Sequence, residues 1–118
     1  MSEIIGIGRV VFNEGGFEEY KRLVEQELEL VRATEPGTLA LDIYVNADKS
    51  EAVYIERYRD SQALIDHSKN VGEFMAPVLA TGTFKGVILG DASDELAEAI
   101  GEGGPVELFR PLMSLRKP

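Results

Sequence analysis

The chain has 118 residues, 44% hydrophobic and 28% charged, with 21 acidic against 12 basic side chains and a formal net charge of −9. That length suits a single domain spanning 1–118 with a core of its own, and a field of that sign argues against nucleic acid and anionic membrane surfaces as partners. Cysteine is absent and His67 is the only histidine, which removes disulfides, thiolate catalysis and any multi-histidine metal site within one chain, so no metal centre is expected.

Ile4 to Phe12 reads as a strand, with Ile5, Ile7, Arg9 and Val11 on one face and Ile4, Gly6, Gly8, Val10 and Phe12 on the other. Gly6 and Gly8 leave bare backbone on one face, which suits close packing or approach by a ligand. Asn13-Glu14-Gly15-Gly16 breaks the strand and offers Asn13 or Gly16 as a helix cap. From Phe17 the period becomes helical: Phe17, Tyr20, Val24, Leu28 and Val31 form a stripe, with Glu18, Glu19, Glu25 and Glu29 on the solvated side. Glu35-Pro36-Gly37 stops this helix.

Thr38 to Asn46 alternates cleanly, Leu39, Leu41, Ile43 and Val45 lying opposite Ala40, Asp42 and Tyr44. The turn-forming segment Asn46 to Ser50 leads into a third strand, Glu51 to Arg59, so the two form a hairpin. In that strand Tyr54, Glu56 and Tyr58 share a face, with Asp42 and Tyr44 expected to join them across the hairpin. These five line either a wet pocket or a subunit interface, the interface being the favoured assignment. Arg9 and Arg57 are placed as ion-pair partners of Asp42 or Glu56. Asp60 caps a helix from Ser61, on which Leu64, His67, Val71 and Phe74 form an apolar stripe limited by Pro77. A fourth strand at 81–89, an acidic helix at 94–100 and a short strand at 106–109 complete the chain.

This order predicts an α+β fold, the ferredoxin-like split βαβ arrangement, with helices on one face of an antiparallel sheet. The other sheet face mixes tyrosines, β-branched residues and charges, too apolar to stay in water, so a homodimer is expected. The N-terminus shows no basic stretch ahead of an apolar one, and no run nears the ~20 residues that span a bilayer. A cytoplasmic protein with no membrane association is expected.

The succession Glu35-Pro36-Gly37-Thr38-Leu39, Tyr54-Ile55-Glu56-Arg57-Tyr58 and Ser61-Gln62-Ala63-Leu64-Ile65-Asp66-His67 resembles the antibiotic biosynthesis monooxygenase family and its quinol monooxygenase relatives. The resemblance covers about residues 4–90; residues 91–118 match less. It implies a dimeric α+β barrel, two ferredoxin-like sheets packed back to back, and a pocket-facing histidine at His67. It also implies a small apolar or aromatic ligand. Haem-degrading members and the polycyclic aromatic oxygenases of the family use a tryptophan, which this chain lacks. The quinol type fits best.

The expected activity is a cofactor-independent oxygenation of a small quinol- or anthrone-like compound, with no metal, flavin or haem. His67 is the general base, histidine being the side chain that ordinarily titrates near neutrality. Tyr44, Tyr54, Glu56, Tyr58, Leu64, Val71 and Phe74 are the expected substrate contacts. The alternatives are a dimeric module that binds a small ligand without turnover, and an isomerase of a small hydroxyketone or lactone.

Overall fold

A computed structural model describes residues 3–118. In chain order it contains β1 (Ile4–Phe12), α1 (Gly16–Thr34), β2 (Thr38–Val45), β3 (Glu51–Tyr58), α2 (Ser61–Asn70), α3 (Gly72–Leu79), β4 (Gly82–Leu89), α4 (Asp94–Ile100) and β5 (Val106–Phe109). The five strands form one sheet in the order β2-β3-β1-β4-β5. The first four are antiparallel neighbours and have the split βαβ order, as expected. β5 runs parallel to β4, so the sheet is mixed: the α4 crossover returns the chain to the same end before β5 starts.

Alternation in β1 directs Ile4 and Val10, both fully buried, toward the helices. Gly8 lies beneath the Tyr54 ring, where an added Cβ would sit 1.9 Å from Cζ of that ring. Close packing explains this glycine, while Gly6 has room above it. On α1 the buried residues are Tyr20, Leu23, Val24 and Val31, and its acidic side faces outward. The helix does not begin on Asn13 or Gly16 as cap. Gly15 takes the left-handed conformation (φ 76°) at that position without a side-chain bond, while the Asn13 amide donates to the Ala80 carbonyl at 3.0 Å. Gly16 is required for a different reason: a Cβ there would lie 2.2 Å from the Thr81 carbonyl oxygen.

Two expectations about register are corrected. A shift between Thr38 and Ala40 breaks the alternation of β2, leaving Leu39 54% exposed. Leu41, Ile43 and Val45 pair with Glu56, Tyr54 and Ala52. The apolar residues of β2 therefore share the helix side with Tyr54 and Glu56, and Asp42 and Tyr44 lie on the far side, opposite Ile55 and Val53. The second correction concerns the helix after Asp60. It does not run on to Pro77 but stops at Asn70, and α3 restarts at Gly72 with Pro77 inside it. Glycine has little preference for continuing a helix.

The buried residues form two groups. One joins Ile4 and Tyr58 to Ala63, Leu64 and Ile65 of α2 and to Leu96 of α4. The other joins Val10 and Ala52 to Tyr20 and Val24 of α1, with Phe12, Leu28, Val78 and Phe84 packed against it. On the far side of the sheet Val11, Tyr44, Val53 and Phe109 are exposed, and among the described residues no helix covers them.

Candidate functional site

Between the two core groups the helices and sheet line a half-open cavity of about 470 Å³, its walls mostly apolar side chains. α1 supplies Tyr20, Val24, Glu27 and Leu28; β2 supplies Leu41 and Ile43; β3 supplies Tyr54 and Glu56. From the other side come Leu64 and His67 of α2, then Val71, then Met75, Val78 and Leu79 of α3. Gly6 and Gly86 leave peptide backbone bare at the sheet surface.

α2 starts where the Asp60 carboxylate accepts from the Ala63 amide at 2.9 Å, an N-cap that fixes the helix phase. That phase turns Leu64 and His67, one turn apart, inward. The His67 ring is buried, and its Nδ1 lies 2.8 Å from Glu35 Oε1. Both side chains are nearly inaccessible, 8% for His67 and 7% for Glu35. Glu35 also accepts from the Thr38 hydroxyl at 2.7 Å and the Asn70 amide at 2.7 Å. Burial works to raise the Glu35 pKa, but the bonds from Thr38, Asn70 and His67 outweigh it and hold the carboxyl below its ordinary value. With Thr38 and Asn70 both donating, the carboxylate takes its third bond from Nδ1–H. With the Nδ1 proton so held, Nε2 is the nitrogen left facing the cavity, and no described protein group bonds it.

Glu56 stands on the sheet side of the cavity. Burial raises its pKa, opposed in part by the hydrogen bond that the Tyr58 hydroxyl donates to Oε1 at 2.5 Å. Glu27 on α1 is raised too, chiefly by burial. The Tyr54 phenol, also buried, is pushed up to about 12.

The cavity thus brings together His67, Tyr54, Glu56, Leu64 and Val71. Tyr58 stands behind it: fully buried, it holds Glu56 and packs its ring 5.3 Å from that of His67. Tyr44 is not at the site. It is 59% exposed on the opposite sheet face, because the hairpin pairs it with Val53 and a one-residue change of register reverses a side chain's face. Phe74 does not line the cavity either, since the restart at Gly72 brings Met75 there instead. Arg9 and Arg57 pair with Glu51 and Glu3, not with Asp42 or Glu56. Two carboxyls escaped the sequence reading. Glu27 falls at helical spacing between Val24 and Val31, a signal that was there to find. Glu35 carries no such signal.

The buried carboxyls give stability a pH dependence of two signs. The Glu35 pKa is depressed on folding, so its contribution is present above the ordinary value of 4.5 and lost as pH falls through the folded value. The Glu56 pKa is raised, so its contribution is present below 4.5 and lost as pH rises through the folded value. Thermal melts across pH should therefore show an alkaline decline that Glu56→Gln flattens and an acid decline that it leaves intact. An unchanged alkaline slope in that variant would contradict the assignment.

Among the described residues no group of three or more His, Cys, Asp or Glu side chains is placed to hold a metal ion, and no helix is long and apolar enough to cross a membrane. A family model described as antibiotic biosynthesis monooxygenase matches residues 4–74. No curated protein matches the sequence. Among solved structures, MupZ from Pseudomonas fluorescens is 18% identical with a TM-score of 0.77, over 100% of this chain and 97% of that one. Rv0793 from Mycobacterium tuberculosis is 25% identical with a TM-score of 0.68, over 79% and 98%. A mutant of SnoaB, a cofactor-independent oxygenase from Streptomyces nogalater, is 15% identical with a TM-score of 0.65, over 75% and 91%.

Proposed function

This chain belongs to the antibiotic biosynthesis monooxygenase family, and from that membership we propose that it oxidises a small quinol- or anthrone-like compound with dioxygen, without a cofactor, using His67 as general base. The observation that carries the reading is a buried histidine whose Nδ1 is held by Glu35 while its ring lines an apolar cavity. Such a base needs only to make the substrate electron-rich. Nε2 removes a proton from the acidic carbon, and the resulting anion gives electrons to dioxygen and forms a carbon–oxygen bond. The hydroperoxide then loses water to leave a carbonyl, so a CH2 group plus O2 becomes C=O plus H2O. Leu64 and Val71, both buried, keep water from their side of the anion, and the Tyr54 hydroxyl orients the substrate oxygen. A cofactor-independent oxygenase with the same fold, SnoaB, supports the chemistry.

In this reading the protein is a cytoplasmic homodimer. The exposed sheet face bearing Val11, Tyr44, Val53 and Phe109 packs against its copy.

Oxygen uptake with a panel of reduced quinones and anthrones tests the assignment. Uptake above the spontaneous rate, reduced at least about 100-fold in His67→Ala, is the expected result. Uptake that survives the substitution removes His67 from the chemistry. No uptake on any compound favours a ligand-binding module or an isomerase.

A further inference from the structure

Glu56 has no part in the oxidation described above, yet its position calls for an explanation. A carboxyl in an apolar cavity is costly unless a cation or several donors meet it. Among the described residues no arginine or lysine does: Arg9 and Arg57, the two arginines of the neighbouring sheet positions, are engaged by Glu51 and Glu3 on the opposite face, and only the charged form of His67 acts on it from across the cavity. It accepts one hydrogen bond among the described residues, from the Tyr58 hydroxyl to Oε1. Tyr58 is fully buried and fixes the carboxyl's orientation. Oε2 has no protein partner among the described residues, and the side chain lines the cavity. Opposite Glu56 in the β1–β3 register is Gly6, where even a methyl group would stop 3.5 Å from Oε1, so space is kept open beside the acid.

We propose that Glu56 is a second catalytic residue, a general acid on a different wall of the cavity from His67, and that the two together enolise carbonyl compounds bearing an acidic C–H. The proposal rests on the same cavity and on His67 as its base. Nε2 of His67 takes the proton from carbon, and the C–H electron pair becomes the new C=C bond. The carbonyl π pair moves to oxygen, which takes the proton of the Glu56 carboxyl. The ketone becomes its enol with no change of oxidation state, and the reverse transfers restore both residues. The surroundings push the two carboxyls apart: burial raises the Glu56 pKa and so favours its protonated, donating form, while the bonds from Thr38, Asn70 and His67 lower that of Glu35 behind the base. The substrate class is aryl ketones and 1,3-dicarbonyl compounds, and the step needs no oxygen.

The test is anaerobic exchange of deuterium from D2O into the C10 position of anthrone, followed by mass spectrometry beside the buffer rate. The intact protein should accelerate exchange, and His67→Ala should abolish the acceleration. Glu56→Gln should reduce it about 100-fold with an unchanged far-ultraviolet circular dichroism spectrum, because the amide keeps the shape and the acceptor for Tyr58. Should that variant not fold, Glu56→Asp serves, since it keeps an acid one methylene shorter and should exchange at least tenfold more slowly than the intact protein. Exchange at the intact rate in a folded Glu56 variant overturns the proposal. So does an absence of exchange in an intact protein that consumes oxygen, an outcome that also removes carbon deprotonation by His67 from the oxidation. Intact-rate exchange in the Glu56 variants leaves the oxygenase reading standing. Exchange without oxygen uptake on any compound does the reverse.

Discussion

Glu35→Gln should leave the protein folded but cut turnover by about 10²–10⁴-fold, with ligand binding retained. The reason lies in the donors around the carboxylate. Thr38, Asn70 and His67 all bond it, and an amide cannot accept at both ends. If its oxygen faces Thr38 and His67, its NH2 meets the Asn70 NH2, and two donors collide. The other orientation satisfies every group: the oxygen accepts from Asn70, and the NH2 donates to the Thr38 hydroxyl and to His67 Nδ1. That arrangement moves the ring proton to Nε2, so the nitrogen facing the cavity can no longer act as a base. A wrong tautomer beside a catalytic histidine costs on the order of 10⁴-fold in rate. Stability should fall by only about 1–2 kcal/mol, the difference between charged and neutral hydrogen bonds. Oxygen uptake, read with a denaturant titration, separates the two effects. Full activity in Glu35→Gln would show that the carboxylate does not set the tautomer.

Tyr58→Ala should destabilise the fold by about 3–5 kcal/mol, the usual cost of truncating a buried aromatic residue. Tyr58 is fully buried and joins β1, α2 and α4 through Ile4, Ala63, Leu64 and Leu96. Its removal also takes away the ring that supports His67. Tyr58→Phe isolates the hydroxyl. It preserves packing and removes the donor that Tyr58 offers Glu56, at a cost of about 1–2 kcal/mol. The hydrogen bond is one of the influences that hold the Glu56 pKa down, so the phenylalanine variant should also bind the Glu56 proton more tightly. Urea titrations at two pH values measure both effects. Equal losses in the two variants would mean that the ring contributes nothing beyond its hydroxyl.

β1, α1 and β3 were legible because each is amphipathic over its length, whereas the bulge in β2 and the restart of α3 at Gly72 were not. The stripe through Tyr20, Val24 and Val31 is a buried helix face, and the alternation of β1 and β3 gives the inward set Ile4, Val10, Ala52 and Tyr58. Register was not legible. It depends on how the hairpin loop closes, and there the Asn46 side chain accepts from the Glu51 amide while Asp48 accepts from Ser50. Those local bonds put Leu41 and Ile43 beside Tyr54 and Glu56, and they take Tyr44 to the other side. His67 stood out on its apolar stripe, whereas its partner did not. Glu35 follows a helix and precedes Pro36, where a stop signal accounts for it completely. Only the tertiary fold, which brings α2 against the end of α1, closes the separation of 32 positions between them.

The glycines beneath the cavity also decide how its depth can change. At Gly86 an added methyl would press on the Ile7 carbonyl at 3.0 Å, and at Gly8 it would strike the Tyr54 ring. At Gly6 the first atom it meets is 3.4 Å away, an ordinary contact with the Ile88 side chain. Alanine there thickens the base of the chamber by one carbon while the backbone stays in place. Position 6 is thus the point at which the chamber can be made shallower without moving the backbone, at the cost of filling the space beside the Glu56 carboxyl 3.5 Å away.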